Sequence, residues 1–224
     1  MSRKIVRLTL DHLAELDSPC RRCVFWELDP VRRARVAAAD APGEKDAWIS
    51  EVLRSWGSCG RVLLVDGVVR GLIVYAPSAY VPGASTFPTS PVSADAVVLT
   101  TVWIDPAMTG SGLGRMLIQA MAKDLIGRGG IRAVEAFASS GGEAPCLLPA
   151  EFLGGVGFRT HRQHPRTPRM HMELRSALTW RDEVEAALER LVGVVRPSPA
   201  PEPARREREP GRTRPPEPRA PGVG

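Results

Sequence analysis

Val102-Trp103-Ile104-Asp105-Pro106-Ala107-Met108-Thr109-Gly110-Ser111-Gly112-Leu113-Gly114-Arg115 is the stretch that decides how this chain folds. It passes from a β-rich run through a glycine-rich turn into a helical pattern. Leu113, Met116, Leu117, Ala120, Met121 and Leu125 follow i, i+3, i+4, i+7, i+8 spacing, which predicts a helix with one buried stripe, stopped by the glycines at 127–130. Glycines at 110, 112 and 114 let the backbone take conformations closed to other residues and approach a ligand closely. The helix that starts there points unpaired N–H groups and its positive dipole end into the turn. That is an anion site, and a pyrophosphate fits it. No Gly-Lys-Ser/Thr follows, so the turn is not a P-loop. Alternating glycines that come after a hairpin and a third strand do not make a Rossmann turn either.

Working outward, residues 61–65 and 68–75 are β-rich runs separated by Asp66-Gly67, the strongest short-range hairpin signal. Residues 5–10 alternate as a strand does, and Asp11 can cap a short helix to Leu16. Pro30 suits the first turn of a helix over 31–39. Residues 44–56 read as another helix, with Trp48, Val52, Leu53 and Trp56 on one face. A Pro-, Ser- and Gly-rich loop spans 77–93, and strands are expected at 95–104, 131–138 and 169–175, with a short helix over 148–153 closed by Gly154 and Gly155. An amphipathic helix is expected over 180–195, where Thr179 and Asp182 form a capping-box-like start. This order is α/β with a mixed sheet, not a doubly wound parallel fold and not a sandwich.

Residues 102–115 resemble the acetyl-CoA-binding motif of the GNAT superfamily: a strand ending near Pro, then Gln/Arg-x-x-Gly-x-Gly/Ala. Thr109 to Gly114 match it, except that Thr109 stands where the family usually has Gln or Arg. Phe152-Leu153-Gly154-Gly155-Val156-Gly157-Phe158 resembles the family's second motif, which ends in Gly-Phe. The resemblance covers about residues 3–175. It implies a mixed, mostly antiparallel sheet with a splayed central strand pair, flanked by helices. It implies acetyl-CoA as cosubstrate, with the pyrophosphate on Thr109, Gly110, Ser111, Gly112, Leu113, Gly114 and Arg115, mainly through backbone N–H groups. The pantetheine arm would pair like an added strand with Val102, Trp103 and Ile104. Arg115 could supply part of the charge lost at Thr109.

The implied activity is transfer of an acetyl group to a primary amine without a covalent enzyme intermediate. Many members place Asn at the start of the last core helix and, seven residues on, a Tyr that protonates the leaving thiolate. Those places fall here on Cys146 and Leu153. Leu153 carries no proton to donate. Cys146 is the candidate acid, with water as its alternative. For the base that deprotonates the amine, Glu135 comes first, followed by Asp95 and Glu27. His161, His164 and His171 read as rim residues among Pro and Arg. The acceptor, a small-molecule or peptide amine, would be held by the 77–93 loop, the region of Trp26 and the segment after Gly157. The missing Tyr also suits a second reading, a non-catalytic acyl-CoA-binding sensor or scaffold. A third is a cofactor-independent interaction protein using its cysteines and tail.

The 224 residues, 43% of them apolar, suffice for one domain (1–176), the helix at 177–195 and a tail over 196–224. That tail holds seven Arg, four Glu and nine Pro, so it carries +3 of the net +5 and is expected to stay disordered. Glu interrupts the Arg run throughout, which argues against nucleic acid as a partner. The C-terminal helix can pack on the core or pair two copies of the chain. No run is long enough for a membrane helix or a signal peptide, so a cytoplasmic protein is expected. The four cysteines suit that address. Cys20-x-x-Cys23 could be half a zinc site or a redox pair, but no second half completes a metal set, so two thiols at a turn is the plain reading and no metal is expected.

Overall fold

Asp66 and Gly67 both take positive φ, 49° and 83°, and turn the chain between two apolar strands. This hairpin starts a sheet seen in a computed structural model that describes residues 2–141 and 146–175. The expected helix at 180–195 and the tail at 196–224 lie outside the described residues.

In chain order the elements are β1 (Arg3–Arg7), α1 (Leu10–Ala14), α2 (Pro30–Arg33), α3 (Ala41–Trp56), β2 (Gly60–Val65), β3 (Val68–Pro77) and β4 (Ala96–Ile104). There follow α4 (Leu113–Arg128), β5 (Ala133–Ser139), β6 (Leu148–Pro149), α5 (Ala150–Gly155), β7 (Arg159–Arg162) and β8 (Arg169–Glu173). The strands form a sheet in the order β1-β2-β3-β4-β5-β8-β7, with β6 paired to β5 off that path. Among the described residues only β4–β5 and β5–β6 are parallel; every other pairing is antiparallel.

Each face of the sheet buries its own core. On one side Leu117, Met121 and Leu125 of α4 pack on Ile73, Leu99 and Val134, with Leu153 and Phe158 closing the layer. On the other, Leu13, Ile49 and Val52 pack on Val62, Leu72 and Val98, joined by Trp26 and Phe137. Each such side chain contributes about 1.5–3 kcal/mol by leaving water.

Several expected boundaries move. Thr9, not Asp11, caps α1: it is extended, and its Oγ1 accepts from the His12 N–H. The helix opened by Pro30 ends at Arg33 instead of reaching residue 39, and its Asp29 cap accepts from the N–H groups of Val31 and Arg32. The last strand stops at Glu173. Two short strands, β6 and β7, were not expected. β6 has two residues and β7 is exposed along its whole length, so neither carries an alternating apolar signal.

The 77–93 loop is clamped to the segment after α1. Gly83 N–H donates to Trp26 O at 3.2 Å, and a Cβ at Gly83 would lie 2.2 Å from Phe25 O and 2.9 Å from Trp26 Cα. Both neighbours are backbone and cannot swing aside. Gly83→Ala should therefore cost about 3 kcal/mol and lower Tm by roughly 6–12 °C in thermal unfolding. An unchanged Tm would show that the two segments part readily.

Candidate active site

β4 and β5 pair over only three residues, Ala96↔Ala133, Val97↔Val134 and Val98↔Glu135. Both strands continue, to Ile104 and Ser139, so they diverge into a wedge. The cause lies on the other edge of β4. Val74 pairs with Thr101 and Tyr75 with Leu99, which leaves Thr100 as an extra residue. Such a bulge bends the strand that carries it. Thr100 is buried, and its hydroxyl donates to Val74 O at 3.1 Å. Tyr75 OH donates to Asp124 Oδ2 at 2.6 Å, tying α4 to the sheet beside the bulge.

The other edge of β5 is occupied. Ala138 N–H donates to Pro168 O at 2.9 Å and Ser140 N–H to Arg166 O at 3.1 Å. β6, which pairs with Ala138 and Ser139, therefore lines the edge that β4 leaves. Past Val98, β4 has no such strand on the side of the wedge among the described residues, and Val102, Trp103 and Ile104 lie on this stretch. An extended chain can add there by backbone hydrogen bonds.

The glycine turn follows the open end of β4. Gly110 and Gly112 have φ of 76° and 78°, and a Cβ at either would meet nothing within 4 Å. Their glycines answer to conformation, and the space beside them is open. Gly112 is the N-cap of α4 and no side chain caps that end. The first N–H groups of the helix are thus left to a ligand or water. Gly114 has a different reason. A Cβ there would lie 3.0 Å from Phe152 Cε2, so this glycine lets α4 approach α5. Thr109 Oγ1 donates to Pro106 O at 3.0 Å, and Ser111 Oγ donates to Met108 O at 2.5 Å, so both hydroxyls stabilise the turn itself. Arg115 donates from Nη2 to Gly155 O at 2.9 Å, joining the first glycine motif to the second. Beside this junction a cavity of about 650 Å³ is lined by Arg115, Gln119, Gly157, His171 and Glu173; none of its lining residues belongs to β4.

On the face opposite α4, an aromatic cluster covers the start of the wedge. Trp26 stacks on Phe87 and Phe137 at centroid distances of 5.5 and 6.0 Å, and Phe87 on Phe137 at 4.5 Å. The 77–93 loop and the Trp26 region thus meet over β5. Thr89 Oγ1 donates to Thr167 O at 3.2 Å, which brings in the segment before β8.

Cys146 lies two residues before β6, with φ of 70°. Its carbonyl accepts from Trp26 Nε1 at 3.1 Å, and its sulfur is 2.6 Å from Cys23 Sγ. The hydrogen bond between the two sulfurs pulls the Cys23 thiol down to about 6 and pushes Cys146 up, with burial adding to the rise. Sequence spacing suggested Cys20 as the neighbour of Cys23. Folding instead gives Cys23 a partner 123 residues away, which no local pattern signals. Among the described residues no cluster of His, Cys, Asp and Glu could hold a metal ion.

Glu135 stands at the last β4–β5 pair and is fully buried. Its carboxylate accepts from Ser93 Oγ at 2.6 Å, Ser93 N at 3.2 Å and His171 Nδ1 at 3.2 Å, and faces buried Arg169 at 3.2 Å. Burial would raise its pKa, but these hydrogen bonds and the Arg169 charge outweigh it and hold the group below the ordinary carboxylate range. An ionised carboxylate only accepts, so the proton on His171 sits on Nδ1. The expected base is therefore a carboxylate already engaged on several sides. Asp95 is exposed and precedes β4 at its paired end. Glu27 is buried against Lys45 at 2.5 Å. His161 stacks on His171 at the sheet rim, with centroids 5.1 Å apart. Leu153 is core.

The sequence pattern of the Acetyltransferase (GNAT) family matches residues 10–144, more than half the chain. The chain belongs to the GNAT acetyltransferase family. Acetyl-CoA is the cosubstrate of that family. Among solved structures, the GNAT-fold chain resembles YncA, described as a putative acetyltransferase, from Salmonella typhimurium with acetyl-CoA, at 19% identity and TM-score 0.52, over 78% of this chain and 95% of that one. It resembles PaiA N-acetyltransferase from Thermoplasma acidophilum in complex with coenzyme A at 14% identity and TM-score 0.51, over 77% and 99%. The loading GNATL domain of CurA from Lyngbya majuscula aligns at 13% identity and TM-score 0.51, over 79% and 100%. At these identities the likeness is one of fold. No curated protein sequence matches the chain. No helix among the described residues is long and apolar enough to cross a membrane.

Proposed function

We propose that this GNAT protein moves an acetyl group from acetyl-CoA directly to a primary amine. The observation that carries the reading is the wedge: β4 leaves β5 after Val98, and the glycine turn lies beyond its open end. The positive-φ glycines with open space beside them, the uncapped end of α4 and the unpaired stretch of β4 all fit a pyrophosphate joined to an extended arm. Bound there, acetyl-CoA supplies an activated acyl thioester.

The chain's own groups would then do three things. Backbone N–H groups of β4 around the bulge polarise the thioester carbonyl. The aromatic cluster of Trp26, Phe87 and Phe137 keeps water from the reacting end and shapes the acceptor site. Cys146 stands at the mouth of the wedge as the donor for the leaving thiolate; Cys23 and burial keep it protonated but also weaken it as an acid, so its share of the rate is modest. Domain bounds of 1–176, 177–195 and 196–224 belong to the same reading.

Calorimetric titration with acetyl-CoA, followed by CoA release against a panel of primary amines, tests it. Saturable one-site binding and amine-dependent release are expected. Cys146→Ala should then lower kcat by about tenfold or more with little change in acetyl-CoA affinity. A folded chain that does not bind acetyl-CoA sinks the proposal. Binding without release to any amine favours the sensor reading, which Leu153 in place of the family's Tyr supports.

A further inference from the structure

The Cys23–Cys146 contact has chemistry beyond acyl transfer. Cys23 lies between α1 and α2, and Cys146 precedes β6, so the contact joins the acceptor-side segment to the strand lining the wedge. Both residues are partly exposed, whereas Cys59 is fully buried and its thiol is pushed up to about 12 by that burial. Cys20, the other member of the Cys-x-x-Cys spacing, has its backbone N–H on Ser18 Oγ at 3.2 Å and its thiol pushed up by burial. Cys146 also holds a left-handed φ of 70°, which non-glycine residues rarely take, and the Trp26 hydrogen bond to its carbonyl helps to keep it there.

We propose that Cys23 and Cys146 are an oxidation site, a dithiol that a hydroperoxide converts reversibly to a Cys23–Cys146 disulfide across the mouth of the wedge. The Cys23 thiolate attacks the outer oxygen of the hydroperoxide. The O–O bond breaks, Cys23 becomes a sulfenic acid, and the departing alkoxide or hydroxide takes a proton from solvent. The Cys146 sulfur then attacks the Cys23 sulfur, the S–S bond closes, and the sulfenic oxygen leaves as water with the thiol proton. Two electrons pass from the thiol pair to the O–O bond. The sulfurs are 2.6 Å apart and need to close only to a bond of about 2.05 Å. The hydrogen bond that draws Cys23 down to about 6 gives it thiolate at neutral pH, the form that reacts. The effect on activity rests on the reading of Cys146 as proton donor, since the disulfide removes that proton. The cross-link itself does not rest on it.

The full-length protein would be treated with hydrogen peroxide, digested with trypsin without reductant, and mapped by mass spectrometry. Trypsin cuts after Arg21 and Arg22, so Cys20 and Cys23 fall on different peptides. The expected result is a loss of two hydrogens and a peptide pair joining Cys23 to Cys146, in the wild type and equally in Cys20→Ser. Acetyl-CoA turnover should fall about tenfold and return with dithiothreitol. A Cys20–Cys23 link, or sulfinic acid with no cross-link, overturns the inference. A mapped Cys23–Cys146 link with undiminished turnover overturns its regulatory part. A cross-link in a protein that has no turnover when reduced leaves the oxidation site standing and removes the acyl-transfer reading instead.

Discussion

Gly112→Trp should fold and fail to bind acetyl-CoA, with Kd raised at least about 100-fold, close to 3 kcal/mol. The glycine holds φ of 78°, and a Cβ there would meet nothing within 4 Å. A side chain thus costs the protein only the left-handed backbone penalty, about 1–2 kcal/mol. The indole would fill the space beside the uncapped end of α4, where the proposed pyrophosphate meets the helix N–H groups. Gly112→Ala separates the two effects. It carries the backbone strain with little bulk, so its Kd should rise only about tenfold. Titration calorimetry with circular dichroism on both variants reads this. Wild-type affinity in a folded Gly112→Trp would place the cofactor elsewhere.

Glu135→Ala should be among the most destabilising single changes in the described residues, by about 3–5 kcal/mol. It leaves the Arg169 guanidinium, 98% buried, without the carboxylate at 3.2 Å, and removes the acceptor of Ser93 and His171. For a domain of this size Tm should fall by roughly 10 °C or more. Because the folded carboxyl is held below its ordinary value of about 4.3, its contribution is present above that pH and is lost as pH falls through the folded pKa. Wild-type stability should therefore drop in acid more steeply than that of Glu135→Gln. The pair of measurements also decides what the residue does. A buried anchor predicts a lowered Tm with residual turnover in Glu135→Gln. A general base predicts an unchanged Tm with turnover down about 100-fold or more.

How much of this was legible beforehand depends on the range of the forces involved. The Asp66-Gly67 hairpin, the stripe of α4 and the glycine turn are local. Turn conformation and helix periodicity are written in neighbouring residues, so these were readable with small errors at their ends. The errors have local causes as well: Thr9 competes with Asp11 to cap α1, and the two-residue β6 is too short to show a period.

The site was legible only in part. Gly110 and Gly112 take the positive φ that a glycine turn needs, while the place of Gly114 against Phe152 is visible only when two helices meet. Cys20 and Cys23 look paired by spacing, yet the sulfur beside Cys23 comes from residue 146. Glu135 sits on a strand like any exposed acid, but packing buries it and supplies Ser93, His171 and Arg169 from elsewhere.

By itself the sequence determined most of the elements and the family they compose, because backbone conformation and apolar periodicity act over a few residues. Tertiary structure alone decided where β4 leaves β5, which thiols touch and how Glu135 is held. Those depend on a bulge registered against a neighbouring strand, and on side chains that folding brings together from distant parts of the chain.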